Sequence, residues 1–277
     1  MTQARRGPVH AFCQWTWLLL AVGCLACPSP ATARILKTRR VGRPGQPPSI
    51  TVGSGFEYEN DGEESQYGFP FLAEYGLTNI IKVRAEPNFV LIRKRDGGTT
   101  SGMGDLETAA TFEFPTERRH RPGLALEALI KWPTARTGDL GTGKTDYTLG
   151  AIVSKEFVQC DTEVNAAYTW VGDPPGLSLK DTFEASSAIE WHLNGSLDLL
   201  GEAVTAGGAG GRFRIHNSAL GIASIGGPQQ GLTESEFTLG VAEKSGEFLK
   251  YEQGVVIKSD GTYQWVLAWE WDFGGGR

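Results

Sequence analysis

Apolar and polar residues alternate with a period of two along most of this chain. Residues 263–273 show the pattern most clearly, because they read YQWVLAWEWDF, with an aromatic residue or Leu at every second position. The same alternation recurs over residues 124–132 and 183–194. Successive side chains of a β-strand point to opposite faces, so this pattern predicts strands with one apolar and one charged face. The chain is therefore expected to be all-β.

Applied to the whole sequence, the alternation predicts twelve strands. They span residues 50–59, 67–77, 80–93, 106–115, 123–132, 146–157, 162–173, 182–193, 196–205, 234–244, 247–258 and 262–273. The second, sixth, eighth and tenth connections are very short, whereas the first, third, fifth, seventh and ninth are longer and rich in Gly, Asp and Pro. Short turns at one rim and long loops at the other are typical of outer-membrane barrels. We therefore predict a transmembrane antiparallel up-and-down β-barrel of about twelve strands over residues 50–277.

A soluble sandwich or a lipocalin-like barrel would show the same alternation with its apolar face turned inward. Aromatic residues near the predicted strand ends favour the membrane barrel, because lipid–water interfaces attract Trp and Tyr. Examples are Phe112, Phe114, Trp132, Tyr147 and Trp170. A hydrophobic content of only 40% also fits strands of which half face lipid and half face a polar lumen.

The first 49 residues differ from the rest. Arg5 and Arg6 precede an apolar stretch that ends in Ala31-Thr32-Ala33, the order of a secretory signal peptide cleaved after Ala33. Residues 1–33 are therefore predicted to be a signal peptide. Residues 34–49 contain five basic residues, no acidic residue and three prolines, which indicates an extended basic, Pro-rich periplasmic linker.

Charge and cysteine content exclude several classes of function. The formal net charge is −6, and the predicted signal peptide carries two arginines and no acid, so the processed chain is more acidic still. A nucleic-acid partner is not expected, because phosphate binding needs clustered positive charge. Three of the four cysteines lie within residues 1–33, which leaves Cys160 alone. An intramolecular disulfide and a multi-cysteine metal site are thereby excluded.

Four segments resemble the family of bacterial outer-membrane proteins called "MetA-pathway of phenol degradation". They are Gly102–Asp105 (GMGD), Leu129–Thr134 (LIKWPT), Gly141–Gly150 (GTGKTDYTLG) and Asn165–Gly172 (NAAYTWVG). The resemblance implies an outer-membrane barrel, often described as a transporter, with no catalytic residues to carry over.

The end of the chain carries a further resemblance. The alternating Trp269, Trp271 and Phe273 resemble the C-terminal signal that the barrel-assembly machinery reads, although four residues follow it. Ala135 is another departure from the family pattern, because a Gly usually follows the Pro-Thr pair there.

Two patterns suggest chemistry but have simpler explanations. Residues 138–145 satisfy the phosphate-loop pattern GxxxxGKT, yet a β-pattern follows where a helix would be needed, so we predict a Gly-rich surface loop. His192 lies beside Glu190 and Asn194 and is expected to form a lumen hydrogen bond with Glu190. No His/Asp cluster shows the spacing of metal ligands. We expect no catalytic residue, no metal and no cofactor.

The polar faces of the predicted strands define the expected lumen. Its candidate lining and substrate-contacting residues are Glu127, Lys131, Glu163, Glu184, Glu190, His192, Glu252 and Glu270. An acid-rich lining favours cations or neutral molecules over anions. The sequence thus predicts a passive channel, in the outer membrane of a Gram-negative bacterium, for small solutes that the resemblance suggests are aromatic or hydrophobic. A barrel enzyme and a non-conducting structural barrel remain the alternatives.

Overall fold

The computed structural model describes residues 50–114, 121–174, 179, 181–207, 234–246 and 248–273. The predicted signal peptide, the predicted linker over residues 34–49 and most of the ninth connection lie outside the described residues. Within the described part of the chain, no helix has the length and apolarity needed to cross a membrane.

The described residues form a single antiparallel sheet. Its strands are β1 (Ile50–Asn60), β2 (Glu64–Gly76), β3 (Ile81–Glu86), β4 (Asn88–Lys94), β5 (Thr99–Met103), β6 (Leu106–Phe114), β7 (Gly123–Trp132), β8 (Asp146–Glu156), β9 (Cys160–Trp170), β10 (Thr182–His192), β11 (Leu197–Gly207), β12 (Glu234–Ser245), β13 (Leu249–Lys258) and β14 (Tyr263–Phe273). β1 pairs with β14 along its whole length, from Ile50 opposite Phe273 to Asn60 opposite Tyr263. β1 also pairs with β2, so the sheet closes on itself.

Fourteen segments correspond to twelve barrel strands because two strands are interrupted. β3 and β4 both pair with β2 in one continuous register and are separated only by Pro87, whose carbonyl accepts a hydrogen bond from the Phe71 N–H. Likewise β5 runs on into β6 across Gly104 and Asp105. The structure is therefore a closed twelve-stranded antiparallel barrel, and the predicted fold is confirmed.

The break between β5 and β6 is a β-bulge. On one side of the break Phe89 of β4 pairs with Met103 of β5, and on the other Glu86 of β3 pairs with Glu107 of β6. The register between the two barrel strands therefore shifts by one residue at the break. Gly104 still donates its N–H to the Asn88 carbonyl, so Asp105 is the additional residue. A bulge re-aims a side chain. Here it turns the fully buried Asp105 carboxylate into the barrel.

Burial alternates along the strands and separates an outer from an inner face. Outward side chains are mostly apolar, and many are exposed, as contact with lipid requires. Exposed aromatic residues lie at both ends of the barrel: Trp132, Tyr147, Trp170, Phe183, Tyr263 and Trp265 at the long-loop end, and Tyr75, Phe112, Phe114, Phe157, Trp191 and Phe273 at the short-turn end. These two groups have the positions of the interfacial aromatic girdles expected from the sequence.

Two connections are shorter than predicted. The first comprises only residues 61–63 and the third only residues 95–98, because β2 begins at Glu64 and β5 at Thr99. Apart from Gly102 and Met103, the residues gained by these strands are polar, and the alternation pattern assigned them to loops. The predicted length asymmetry of the two rims therefore holds for the fifth and seventh connections but not for these two.

Candidate functional site

The inner face of the barrel is predominantly acidic. Thirteen buried residues carry a carboxylate: Glu57, Glu59, Glu86, Asp105, Glu107, Glu113, Asp146, Asp161, Glu163, Glu190, Asp198, Glu202 and Glu252. Among the described residues, only Arg84 and Lys131 are buried and basic. Half-buried or exposed lysines also reach some of these carboxylates with their ammonium groups. The barrel interior is therefore a negatively charged surface.

All eight residues predicted to line the lumen occupy inward positions on their strands. Their contact with a solute stays a prediction. The structure brings Glu190 and Glu252 together around Lys250, whose Nζ lies 3.0 Å from Glu190 Oε2 and 2.9 Å from Glu252 Oε1. Glu127 and Lys131, four residues apart on β7, belong to two separate ion-pair groups.

The first group surrounds Arg84 near the short-turn end. The guanidinium forms a two-pronged ion pair with Glu127 and places its Nε 2.6 Å from Glu86 Oε1. Thr111 donates a further hydrogen bond to Glu127. Arg84 and its partners come from β3, β6 and β7, so this group ties three strands together across the inner wall.

The second group surrounds Lys131, whose side chain is 3% exposed. Its ammonium lies 2.6 Å from Asp146 Oδ2 and 3.6 Å from Asp105 Oδ2, and it donates a hydrogen bond of 3.0 Å to Thr142 Oγ1. Asp105 also accepts the N–H of Ala135. The bulge residue and Lys131 therefore hold both arms of the connection over residues 133–145.

The 133–145 connection folds against the inner wall. Leu140 is 2% exposed and packs on Val90 and Ile92, two inward residues of β4. Beside it, Asp139 accepts hydrogen bonds from Thr100 on β5 and from Lys94. The sequence predicted a surface loop here, and that prediction is wrong for the middle of the segment. The β-pattern predicted to follow the phosphate-loop pattern is confirmed, because Asp146 begins a strand and not a helix.

Two glycines make this packing possible. A Cβ on Gly141 would lie 2.5 Å from both the Ala135 Cβ and an Asp105 carboxylate oxygen. A Cβ on Gly102 would lie 3.0 Å from Leu140 Cδ1. Both glycines belong to the segments that carry the family resemblance, GMGD and GTGKTDYTLG. These segments therefore form one unit that fixes a loop inside the barrel.

His192 lies at the short-turn end with different partners from those predicted. Its Nδ1 is 2.8 Å from Asp198 Oδ1 and its Nε2 is 3.4 Å from Asp161 Oδ2. The predicted hydrogen bond to Glu190 is not the one that forms, because cross-strand neighbours lie closer than residues two apart on one strand. Glu190 instead contacts Lys250 and Lys244.

The same corner brings together a group of possible metal ligands. One ligand atom from each of Asp161, Glu190 and His192 lies within 4.8 Å of the other two. The sequence spacing did not indicate this group, because its members come together only when β9 pairs with β10. Two lysine ammonium groups beside Glu190 disfavour a bound metal ion electrostatically.

An apolar patch interrupts the acidic wall at mid-height. It comprises Ala188, Leu200, Ala242, Val256, Val266 and Ala268, contributed by β10 to β14. Buried carboxylates flank the patch directly, since Glu202 pairs with Ala188, Glu57 with Val266, and Glu252 with both Ala242 and Ala268. The sequence does not reveal this patch, because each strand supplies only one or two of its residues.

Comparison with known proteins identifies the fold. No family model and no curated relative matches the chain. Among solved structures, the COG4313 outer membrane channel from Pseudomonas putida F1 superposes with a TM-score of 0.66 at 12% identity, over 84% of this chain and 97% of that chain. The KdgM porin in complex with disordered oligogalacturonate gives a TM-score of 0.44 at 9% identity, over 80% and 99% of the two chains. The fold is that of an outer-membrane barrel, and membership of the phenol-degradation family stays a prediction.

Proposed function

We propose that this chain is an outer-membrane channel for small solutes that prefers cations and neutral molecules to anions. The observation that carries the proposal is a closed barrel with an apolar, aromatic-banded outer face and thirteen buried carboxylates inside. An outer face of this kind belongs in lipid. Similarity in fold to the Pseudomonas putida outer membrane channel supports the same assignment.

The acidic wall gives the channel its proposed selectivity. A ring of carboxylates raises the local concentration of cations and repels anions, and this effect is stronger within a narrow, low-dielectric passage than in bulk water. The inward 133–145 loop narrows the long-loop side of the lumen and limits the size of the solutes that pass.

For substrates we propose small molecules that include aromatic or hydrophobic ones. The family resemblance suggests this class. We propose that the chain is located in the outer membrane of a Gram-negative bacterium. We further propose that the barrel-assembly machinery inserts it after recognising Trp269, Trp271 and Phe273.

Ion current across planar lipid bilayers tests the proposal. The purified barrel is inserted, and the zero-current potential is measured with KCl at unequal concentrations on the two sides. A cation-selective potential is the expected result, whereas an anion-selective one would overturn the selectivity. If neither the full chain nor a variant whose 133–145 loop is released carries any current, the proposed transport function is refuted. The chain would then be a structural barrel.

Two further measurements test the location. Heat-dependent migration on detergent gels is expected, because unheated outer-membrane barrels stay folded and run differently from the boiled chain. Fractionation of the producing bacterium is expected to recover the chain with outer-membrane lipid. Recovery as a water-soluble periplasmic protein would overturn the membrane assignment.

A further inference from the structure

The pairing of β1 with β2 covers only part of the two strands. Four residue pairs join them, from Glu57 opposite Gly68 to Asn60 opposite Ser65. By contrast, β1 pairs with β14 over eleven residues and β8 with β9 over ten. The four pairs lie at the long-loop end. The remaining stretch, residues 50–56 of β1 beside 69–76 of β2, lies wholly within the described part of the chain and has no ladder. We call it the lower junction.

Pro70 explains where the ladder stops. Backbone groups of successive strand residues point to opposite neighbours, and the Phe71 N–H bonds to the Pro87 carbonyl on the far side of β2. Residue 70 therefore faces β1, where the continued register places it opposite Gly55. Proline has no N–H to donate to a ladder and occurs in sheets mainly at edges. This stretch of β2 is thus an edge within a closed barrel.

Side chains close the lower junction where the ladder is missing. Phe56 and Phe69 are next in register beyond the last pair, and their ring centroids lie 5.4 Å apart on the outer face. The inward positions of the same stretch that lie nearest mid-height are uncharged and buried: Gly53, Gly55, Pro70 and Leu72. An uncharged junction therefore interrupts the acidic inner wall, and it is closed in this structure.

Separation of β1 from β2 along the lower junction breaks no ladder. β1 remains bound to β14 by eleven pairs, and β2 remains bound to β3 by four pairs and to β4 by seven. Separation of β7 from β8 would break nine pairs. Seven residues of a strand tilted by about 40° cover about 18 Å of barrel height. The wall can therefore part here over much of the apolar band, which is about 25 Å tall in such barrels.

We propose that the lower junction opens as a lateral route by which small apolar solutes pass from the lumen into the bilayer. An apolar solute gains free energy on leaving water for hydrocarbon, whereas a hydrated ion does not. Ions therefore stay in the lumen. The route rests on the proposed passage of solutes through the barrel, whereas the incomplete ladder does not depend on it.

Backbone amide exchange tests the incomplete ladder without any transport. The processed chain is placed in lipid nanodiscs, and NMR gives each amide a protection factor, its exchange rate relative to that of an unfolded peptide. Gly53 and Gly55 face β2 in the same way as Glu57 and Glu59, which belong to the four pairs. We expect protection at least ten-fold weaker at the two glycines. Equal protection at all four amides would overturn the lower junction.

A disulfide across the lower junction tests the lateral route. In a processed chain carrying Cys160→Ser, Val52→Cys is combined with Ala73→Cys, two outward positions that the continued register places opposite each other. The matched control combines Tyr58→Cys with Tyr67→Cys, which lie opposite each other within the four pairs. Bacteria that make each chain are given N-phenyl-1-naphthylamine, an apolar dye that becomes fluorescent in a membrane, with and without a reductant. KCl conductance of the purified chains is measured under the same two conditions.

The two readouts separate the lateral route from the channel. We expect oxidation to slow dye uptake at least two-fold in the Val52 and Ala73 variant only, with KCl conductance unchanged in both variants. Uptake that is insensitive to oxidation, with KCl current present, would overturn the lateral route and leave the channel. An equal fall in uptake and conductance would also overturn it, because the disulfide would then narrow the lumen itself. Oxidation-sensitive uptake without any current would overturn ion conduction and support the lateral route.

Discussion

Replacing Lys131 by Met is expected to release the inward 133–145 loop. The ammonium of Lys131 lies between Asp105 and Asp146, at 3.6 Å and 2.6 Å, and is almost wholly shielded from water. Met has nearly the length of Lys and is apolar, so the change removes the charge and little volume. It leaves two buried carboxylates without their shared ammonium.

The magnitude follows from burial. Breaking a buried ion pair by removing one partner destabilises a protein by about 3–5 kcal/mol, because the remaining charge is left desolvated. An exposed pair contributes only about 0–1 kcal/mol. Lys94 and Asp139 form such a pair in the same region, with side chains 42% and 45% exposed at 3.4 Å. Lys94→Met is therefore the matched control for Lys131→Met.

Two assays follow the two variants. Urea unfolding in phospholipid vesicles, monitored by tryptophan fluorescence, gives the free energy of unfolding. Trypsin cleavage at Arg136 and Lys144 reports whether the loop has left the wall. We expect the free energy of unfolding of Lys131→Met to fall by at least about 3 kcal/mol, or trypsin to cleave its loop rapidly. Lys94→Met should resemble the parent chain in both assays. Two variants of equal stability and equal protease resistance would refute the assignment of Lys131 as the residue that holds the loop.

Three further outcomes are expected. Gly141→Ala should destabilise the barrel by about 1–3 kcal/mol, because the new Cβ meets Asp105 at 2.5 Å, whereas Gly138→Ala has open space and should be nearly neutral in the same urea titration. Leu239→Arg changes an exposed outward residue at the middle of β12 and should lower the free energy of unfolding in vesicles by about 2–4 kcal/mol. An unchanged free energy of unfolding would contradict the lipid-facing assignment. Phe273→Ala should lower the amount of heat-modifiable barrel recovered from outer membranes, and unchanged recovery would argue against the terminal aromatic signal.

The fold and the sidedness of its strands could be predicted from the sequence because they depend on a local pattern. Alternation places Leu126 outward and Glu127 inward whatever the neighbouring strands are. The aromatic girdles follow from the same pattern, since Trp132 and Tyr147 lie at strand ends on the apolar face. No information from distant parts of the chain is needed for these assignments.

The site depends on contacts between distant residues and was predicted only in part. Asp105 is turned inward by a bulge that alternation alone does not reveal, and Leu140 is buried because a loop folds back onto β4. His192 finds its partners on the two neighbouring strands, at Asp161 and Asp198. Register between strands and the path of a loop decide these contacts, and neither has a signature within a window of ten residues.

The seam between β1 and β14 has a consequence for how the barrel is made. Eleven residue pairs join Ile50–Asn60 to Phe273–Tyr263, and the Thr51 hydrogen bond to Asp272 links residues 221 positions apart. One edge of β1 therefore stays without hydrogen-bonding partners until β14 has formed. Pairing over such a separation is slow, because the entropy of closing a long loop is lost before any stabilising contact forms. Until that moment the sheet has two open edges, which in a bilayer must be shielded by another protein or remain outside the hydrocarbon.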